Sequence, residues 1–581
     1  MLKDPHSDIF TVGIGGAAGD GVLEAGSNLG LLLRDLGYEV YLSNNYPSLI
    51  RGGHNFVRLS FSKGFSSAEG YGGTRKIWCD HTKLDALIAL NEETVKLHKD
   101  ELNQMAVVFA DSFEQADINI LGQNAVVVPM QLSVKELNVP VITRNSVALG
   151  ALCFLLDLSL SKMMEILQLV FKDKSADINT KLADIGFEHL QKMQFRHSKK
   201  IEPSEPHGEF IDGNKAFGKG LLAAGLDFYI AYPMTPSSSI LHYLARKQTP
   251  EGLKVIQPEN EISAINMALG MVYAGKRVAV GSATGGFALM QEAFSFAGMA
   301  ELPLIVAVSQ RQAPATGMPT HSSQSDLRNV LHAGHGEFPR IVIAPGDSEE
   351  SFQLGAKALN LAWKFQTPVI VLLDKILSEH MITANIDLDS ISIENGKMAE
   401  NTNENYSRYE ITTDGISPMA FPGTENTIVK VTSYEHNEKG ITTEETQEVK
   451  KMLDKRFAKM ETIKSEMQNQ ETVKIYGDLG SEVALVFFGS TKSPVLEASK
   501  YFDKGIKLLQ IIWLEPFDTE KVKKELVGAK RIICVEANHN GQLASLIREK
   551  TGIEITEKIL KYDSLPFDPI ELAEQINTLL K

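Results

Sequence analysis

Tyr232-Pro233-Met234-Thr235-Pro236-Ser237-Ser238 opens the stretch on which the reading of this chain turns. It continues through Pro258-Glu259-Asn260-Glu261, Gly281-Ser282-Ala283-Thr284-Gly285-Gly286 and Gln310-Arg311. It closes with Pro314-Ala315-Thr316-Gly317-Met318-Pro319-Thr320 and runs on to Asp326. The first four of these segments each follow a short apolar run, at residues 228–231, 253–256, 278–280 and 304–308. That rhythm predicts a parallel sheet whose loops gather at the carboxyl edge, where α/β proteins bind ligands. Helices are expected over 213–224, 261–274, 287–298 and 348–363, with a closing strand at 368–373. Pro236 and the serines after it suit a helix start.

The totals bound what such a sheet can belong to. At 581 residues the chain exceeds one hydrophobic core and predicts several domains. A formal charge of −15 argues against nucleic acid as a partner, because phosphate backbones call for basic surfaces. Cys79, Cys153 and Cys534 are far apart and form no Cys-x-x-Cys pair. They predict neither a disulfide scaffold nor a four-cysteine iron–sulfur site, and each is expected to be a small buried side chain. The N-terminus lacks the apolar core of a signal peptide, and no apolar run reaches membrane-spanning length. A cytoplasmic location is expected.

Working outward, residues 9–14 read as a strand entering Gly13-Ile14-Gly15-Gly16-Ala17-Ala18-Gly19-Asp20-Gly21, with a helix over 22–36 and a strand at 38–42. Such a turn can offer backbone N–H groups to a phosphate. No acid closes the second strand, where Ser43-Asn44-Asn45 stands, which argues against dinucleotide binding. Gly19-Asp20-Gly21 followed by Asn44-Asn45 imitates the signature with which thiamine diphosphate enzymes hold a metal. Here it sits inside a longer glycine-rich turn, and a structural or anion-binding role is expected. Tyr46-Pro47-Ser48-Leu49-Ile50-Arg51-Gly52-Gly53-His54 follows, then strands at 56–61, 85–90, 106–110 and 125–129 and helices across 146–190. Residues 196–210 read as a linker. Residues 383–473, rich in Asn, Glu, Asp and Thr, read as a surface segment ending in a charged amphipathic helix over 444–470. Strands at 483–488, 506–512 and 531–535 and helices at 494–501 and 542–550 predict a last α/β domain. In it, Asn538-His539-Asn540-Gly541 reads as a polar loop capping the next helix.

With these residues in view, the chain resembles the α subunit of 2-oxoacid:ferredoxin oxidoreductases, which carry Tyr-Pro-x-Thr-Pro as at 232–236. The Arg51-Gly52-Gly53 loop resembles the family's γ domain, and Val535–Leu543 a segment of its C-terminal domain. The resemblance implies a multidomain α/β chain. A Rossmann-like γ domain would span 1–197 and a pyrimidine-type thiamine diphosphate domain 211–382. A connecting segment would span 383–474 and a transketolase C-terminal-like domain 475–581. It implies that this chain holds the pyrimidine end of thiamine diphosphate and no metal. The diphosphate, Mg2+ and a [4Fe–4S] cluster would lie on a separate β subunit, in an (αβ)2 heterotetramer. The implied reaction is oxidative decarboxylation of a 2-oxoacid with coenzyme A, electrons passing to ferredoxin, or the reverse.

The site residues follow from that chemistry. A carboxyl group must meet a pyrimidine ring nitrogen so that the coenzyme's own amine can act as base. Glu261 matches the family's activating glutamate. Glu259 is its rival, and either acid would also suit a helix start. Tyr232, Pro233, Gly285 and Gly286 are expected around the coenzyme, the 281–286 loop leaving room for its ring. Arg311 is the candidate grip on the substrate carboxylate and Thr235 the candidate hydroxyl. An interface salt bridge and a helix cap are their alternatives. Relatives acting on 2-oxoglutarate often carry Arg or Lys after Pro-Thr, then Glu-Gln. Here Thr320-His321-Ser322-Ser323-Gln324 stands instead, so any charge at His321 depends on pH. 2-Oxoglutarate remains the favoured substrate, with branched-chain or other 2-oxoacids open. Arg51, Gly52 and Gly53 belong to a coenzyme A region or simply anchor a turn. His321, His332 and His335 lack the flanking carboxylates of a metal site. Two rival functions stand beside this one: a self-sufficient transketolase-like enzyme using Asp20 and Asn44, and a non-catalytic acceptor-docking subunit.

Overall fold

The computed structural model describes residues 8–47, 52–63, 76–111, 125–172, 174–400 and 402–581. Among the described residues the chain forms three sheets sandwiched by helices, the α/β class expected. The first sheet runs, edge to edge, Ala125–Val127, Leu102–Ala110, Leu84–Ala89, Ile9–Ala17, His54–Lys63, Tyr38–Asn45, Met381–Ala384 and Glu209–Asp212. Its first four strands are parallel, and His54–Lys63 lies antiparallel between Ile9–Ala17 and Tyr38–Asn45. Val12, Ile14, Val57 and Leu59 point into one core with Leu29, Leu32 and Leu33 of the helix Val22–Asp35. The helices Asn145–Leu156 and Lys174–Met193 touch through glycines. A Cβ on Gly150 would strike the Ala183 backbone, and one on Gly186 the Val147 carbonyl.

The second sheet runs Trp513–Glu515, Ile341–Ile343, Val369–Asp374, Ile305–Gln310, Val278–Ala283, Phe228–Ile230 and Lys254–Ile256, parallel except for Trp513–Glu515. The four apolar runs singled out in the sequence are four adjacent strands. Phe228–Ile230 has its successor Lys254–Ile256 on one side and Val278–Ala283 on the other. The strand order therefore reverses there, and the loop after Ile230 and the helix that begins right after Ala283 diverge at the kind of switch point where α/β sheets open a crevice. The third sheet runs Val473–Gly477, Lys507–Ile511, Val483–Phe488, Arg531–Glu536 and Glu557–Leu560.

Three features differ from the sequence reading. Residues 281–286 are not a loop. Gly281, Ser282 and Ala283 finish a strand, and Thr284, Gly285 and Gly286 form the first turn of the helix Thr284–Met299. Gly281 stays in the strand because it lies against Tyr229, whose hydroxyl a Cβ would strike. Met381–Ala384 is a strand of the first sheet, although an irregular segment was expected from residue 383. The helix Thr446–Met467 buries Lys455, Arg456 and Lys459 along with its apolar residues. Lys455 donates to Glu301 at 2.7 Å, and Lys459 pairs with the same carboxylate. Burial alone would raise the Glu301 pKa, but Lys455, Lys459 and Arg408 together hold it far below the usual carboxylate range.

Cys79, Cys153 and Cys534 are buried thiols. Among the described residues no helix is long and apolar enough to cross a membrane.

Candidate active site

Glu261 begins the helix Glu261–Tyr273, and Asn260 caps it by accepting a hydrogen bond from the Ser263 backbone N–H at 2.9 Å. The cap fixes the acid at the carboxyl edge of the second sheet while Ala264, Ile265 and Ala268 press the helix into the core. Glu261 is 4% exposed, yet its Oε1 has no hydrogen-bond partner among the described residues. Such an acceptor costs about 1–3 kcal/mol, so a donor is wanted at this point. Glu259 is fully exposed and accepts from the Ser263 hydroxyl, which holds its carboxyl below the usual range. Sequence left the two acids as alternatives; burial and an unmet acceptor distinguish Glu261.

Gly286 makes room for that acid. A Cβ on it would stand 2.5 Å from Glu261 Oε1 and 2.9 Å from Cγ, and closer still to Ser282 Oγ. Above Gly285 the space is open, the nearest atom to a Cβ being the Ala315 carbonyl oxygen at 3.9 Å. Tyr232, 37% exposed, and half-buried Pro233 follow the strand Phe228–Ile230 at the same carboxyl edge. A flat heteroaromatic ring with a nitrogen-borne proton fits this arrangement of a glycine floor and a buried acceptor. The pyrimidine end of thiamine diphosphate is such a ring.

Arg311 follows the strand Ile305–Gln310 and donates from Nη1 to the Thr235 carbonyl at 2.7 Å. The two expected substrate residues are thus in contact. Burial pushes the guanidinium pKa down, and among the described residues no carboxylate pairs with it. Thr235 shows no capping bond to the helix Ser238–Ala245, whose N-cap Ser237 makes none either.

The chain then loops out and returns. Met318 N–H donates to the Gln312 carbonyl at 3.0 Å, and Gln312 N–H to the His321 carbonyl at 3.1 Å, which brings His321 back beside Arg311. Gly317, at φ 53°, permits the tight turn; a Cβ would collide with the Gln312 backbone. The loop is held from both neighbouring domains. Thr320 donates its hydroxyl to the Pro47 carbonyl at 3.1 Å. On the other side, fully buried Gln324 donates to the Phe488 carbonyl at 3.0 Å and accepts from the Thr491 hydroxyl at 2.7 Å. Asn538 donates to the Gln324 carbonyl at 3.2 Å while its Oδ1 accepts from Gly541 N–H at 2.8 Å, so it braces the turn before the helix Gln542–Thr551 and fastens the loop at once. Gln324 was not singled out in the sequence; a lone Gln among serines carries no local signal of a buried inter-domain hub.

In the first domain, Ala18 N–H donates to the Gly53 carbonyl at 2.9 Å, so the glycine-rich turn lies against the Gly52-Gly53 segment. Gly19 and Gly52 adopt φ of 94° and 74°, with open space where a side chain would be. Arg51 lies outside the described residues. Asp20 accepts from Ala17 N–H at 2.8 Å and pairs with Arg144 at 3.0 Å, and Asn44 reaches the Glu379 carbonyl at 3.5 Å. Their partners are thus structural. His335 meets the Ser295 hydroxyl at 3.1 Å, and among the described residues no three His, Cys, Asp or Glu side chains converge as a metal site.

Comparison with known proteins identifies the family. Residues 219–455 match the family described as pyruvate flavodoxin/ferredoxin oxidoreductase, thiamine diP-bdg, and residues 11–189 match pyruvate ferredoxin/flavodoxin oxidoreductase. The 2-oxoacid:ferredoxin oxidoreductase subunit alpha of Saccharolobus solfataricus is 34% identical, over 98% of this chain and 97% of its own length. The 2-oxoglutarate synthase subunit KorA of Methanocaldococcus jannaschii is 33% identical, over 57% of this chain and 88% of its own. The structure of 2-oxoglutarate:ferredoxin oxidoreductase from Magnetococcus marinus, with 2-oxoglutarate, coenzyme A and succinyl-CoA bound, aligns with a TM-score of 0.88. It is 29% identical and covers 99% of this chain and 100% of that one. On sequence and on fold, this chain belongs to the 2-oxoacid:ferredoxin oxidoreductases, as an α subunit that carries its γ-like domain at the N-terminus.

Proposed function

We propose that this chain catalyses, together with a β subunit, the conversion of a 2-oxoacid, coenzyme A and oxidised ferredoxin to an acyl-coenzyme A, carbon dioxide and reduced ferredoxin, or the reverse. 2-Oxoglutarate is the favoured substrate. The observation that carries this reading is the buried, unpartnered Oε1 of Glu261 above the Gly285-Gly286 floor. Bound thiamine diphosphate would supply a carbon nucleophile that stores the electrons released when the carboxylate leaves. Glu261 would hold a pyrimidine nitrogen, with Tyr232 and Pro233 closing the rim and Gly285 and Gly286 beneath. Arg311, already fixed to the Thr235 carbonyl, would grip the substrate carboxylate with its remaining N–H groups, and Thr235 would orient it. His321 would meet the far end of the substrate. Arg51, Gly52 and Gly53 would contribute to the coenzyme A region.

The division into a γ-type domain over 1–197, a pyrimidine domain over 211–382, a connecting segment over 383–474 and a C-terminal domain over 475–581 goes with this reading. So does a cytoplasmic (αβ)2 heterotetramer, with Mg2+ and a [4Fe–4S] cluster on β and ferredoxin as acceptor. The bound ligands of the Magnetococcus marinus relative support the choice of acid and of coenzyme A.

The test is reconstitution. The chain is co-expressed with a cysteine-rich partner that carries its own Gly-Asp-Gly signature, and a panel of 2-oxoacids is assayed by reduction of a low-potential dye. Turnover that requires both chains and coenzyme A is expected. Turnover by the isolated chain would refute the shared site.

A further inference from the structure

A second cluster of polar side chains, linked to His321 through Pro47 and Thr320, joins a segment of the first sheet to one of the second. Lys375, 3% exposed, opens the short helix Lys375–Glu379 after the strand Val369–Asp374. Its ammonium group donates to Glu379 Oε2 at 2.5 Å and stands 4.7 Å from the centre of the Tyr46 ring. Tyr46 comes from the first domain, and its hydroxyl contacts both Glu379 oxygens, at 2.8 and 3.0 Å. The next residue, Pro47, accepts the Thr320 hydroxyl, which is 3.2 Å from His321 Nδ1. The helix, the first-domain segment and the His321 loop are thus fastened to one another through a single ion pair.

We propose that Lys375, Glu379 and Tyr46 are positioning residues that hold His321 against the side-chain end of the 2-oxoacid, and that through them the choice between an acidic and an uncharged substrate varies with pH. The inference rests on the reading of His321 as a substrate contact. Thr320 at Nδ1 leaves Nε2 as the ring nitrogen available to a ligand. As an imidazolium it would attract a distal carboxylate; as a neutral ring it would offer only a hydrogen bond. Burial and then the Lys375 charge push the imidazole pKa below its usual value. The surrounding ionisable groups are Lys375 and Glu379 on the helix, Tyr46 on the first domain, Arg311 on its own loop, and Asp563 near the Ser564 carbonyl that receives Ser322 N–H. Glu379 is engaged by Lys375 and Tyr46, and Asp563 by Lys561 at 2.8 Å. Of these groups, Lys375 is the one whose charge, after burial, acts on the imidazole.

The test uses the αβ complex. The ratio of kcat/KM for 2-oxoglutarate to that for 2-oxobutanoate is followed between about pH 5 and 8, and the corresponding ratio of association constants is read by calorimetry. In the wild type both ratios are expected to fall as pH rises through the imidazole's titration and to level off where only the neutral ring's hydrogen bond remains. The double variant Lys375→Met/Glu379→Gln removes the ion pair as a neutral unit and spares the fold an unpaired buried charge. It should move the fall to higher pH. Tyr46→Phe, which loosens the anchor and leaves the charges, should raise the dissociation constant for 2-oxoglutarate several-fold and leave the pH of the fall in place.

A flat ratio in the wild type, or the same midpoint in the double variant, overturns the inference. A complex that binds the two acids with this pH dependence and turns over neither would refute the proposed reaction instead, so the two failures are distinguishable.

Discussion

Replacing Glu261 by Gln separates a functional acid from a structural one, because the two predict opposite effects on stability. Glu261 is 4% exposed and its Oε1 has no partner among the described residues. An unsatisfied buried acceptor costs about 1–3 kcal/mol, and more when ionised. Against this stands the helix N-terminus, which favours a negative charge by about 0.3–1 kcal/mol. In Gln the amide still leaves a polar atom unpaired here, so the gain is that of shedding the buried charge less the helix-terminus attraction, and Glu261→Gln should stabilise the free chain by about 1 kcal/mol. For a domain of this size that is a rise of about 2–4 °C in the melting temperature of the coenzyme-free chain. The same change removes the acid that engages the coenzyme, and turnover should fall by about 10²–10⁴-fold. Differential scanning calorimetry without thiamine diphosphate and dye reduction by the reconstituted complex give the two readouts. A variant that melts lower, or that keeps more than a tenth of the activity, would refute the assignment of Glu261.

Further expectations follow from other parts of the site. Gly286→Ala pushes a methyl group into Glu261, so activity should drop by about a hundredfold from a displacement of the acid by an ångström or less, visible as weakened coenzyme binding in a fluorescence titration. Arg311→Lys keeps the charge and loses the planar fork, and should lower kcat/KM for the 2-oxoacid by about 10²-fold or more while KM for coenzyme A changes little. Gln324→Leu leaves the Thr491 hydroxyl and the Phe488 carbonyl without their buried partner and should destabilise the junction of the second and third sheets by about 2–4 kcal/mol, read as a lower melting temperature. Glu497 is fully buried and takes Trp78 N–H at 2.9 Å, His81 at 3.3 Å and Lys500 at 2.8 Å. Burial alone would raise its pKa, but Lys500 and His81 override it and bring it down to about 2. The folded pKa lies below the unfolded one, so this stabilisation, about 3 kcal/mol, is complete above pH 4.5 and is lost as pH falls toward 2. Glu497→Gln should flatten that part of the acid-unfolding curve.

Much of this architecture is written in local patterns, and the rest is not. Runs such as 304–308 are uninterrupted apolar stretches because strands inside a parallel sheet are buried on both faces, and they read as strands without context. The helix after Asn260 announces itself through its cap. Met381–Ala384 and Glu209–Asp212 have no such signal: each is four residues long and becomes a strand only by pairing with a distant segment. The helix Thr446–Met467 was legible as a helix, but the side it buries was not, because Lys455 and Lys459 are made tolerable inside by Glu301 far away in sequence. In the site, Thr235, Glu261 and Arg311 could be named from motif and chemistry. Tyr46, Lys375 and Glu379 could not, since two come from a short helix and one from another domain. The i to i+4 spacing of Lys375 and Glu379 reads only as an ordinary helical pair.

The first sheet has a practical consequence for how this polypeptide could be divided. Met381–Ala384 adds to Tyr38–Asn45 through the pairs Met381 with Leu42 and Ile382 with Tyr41, and carries Glu209–Asp212 on its outer side. The covalent link through residues 198–208 makes that strand addition an intramolecular event, with an effective concentration on the order of millimolar. Cut there, the two pieces would have to find each other by diffusion, and the coenzyme crevice and the glycine loops would stay in register only above a threshold of protein concentration.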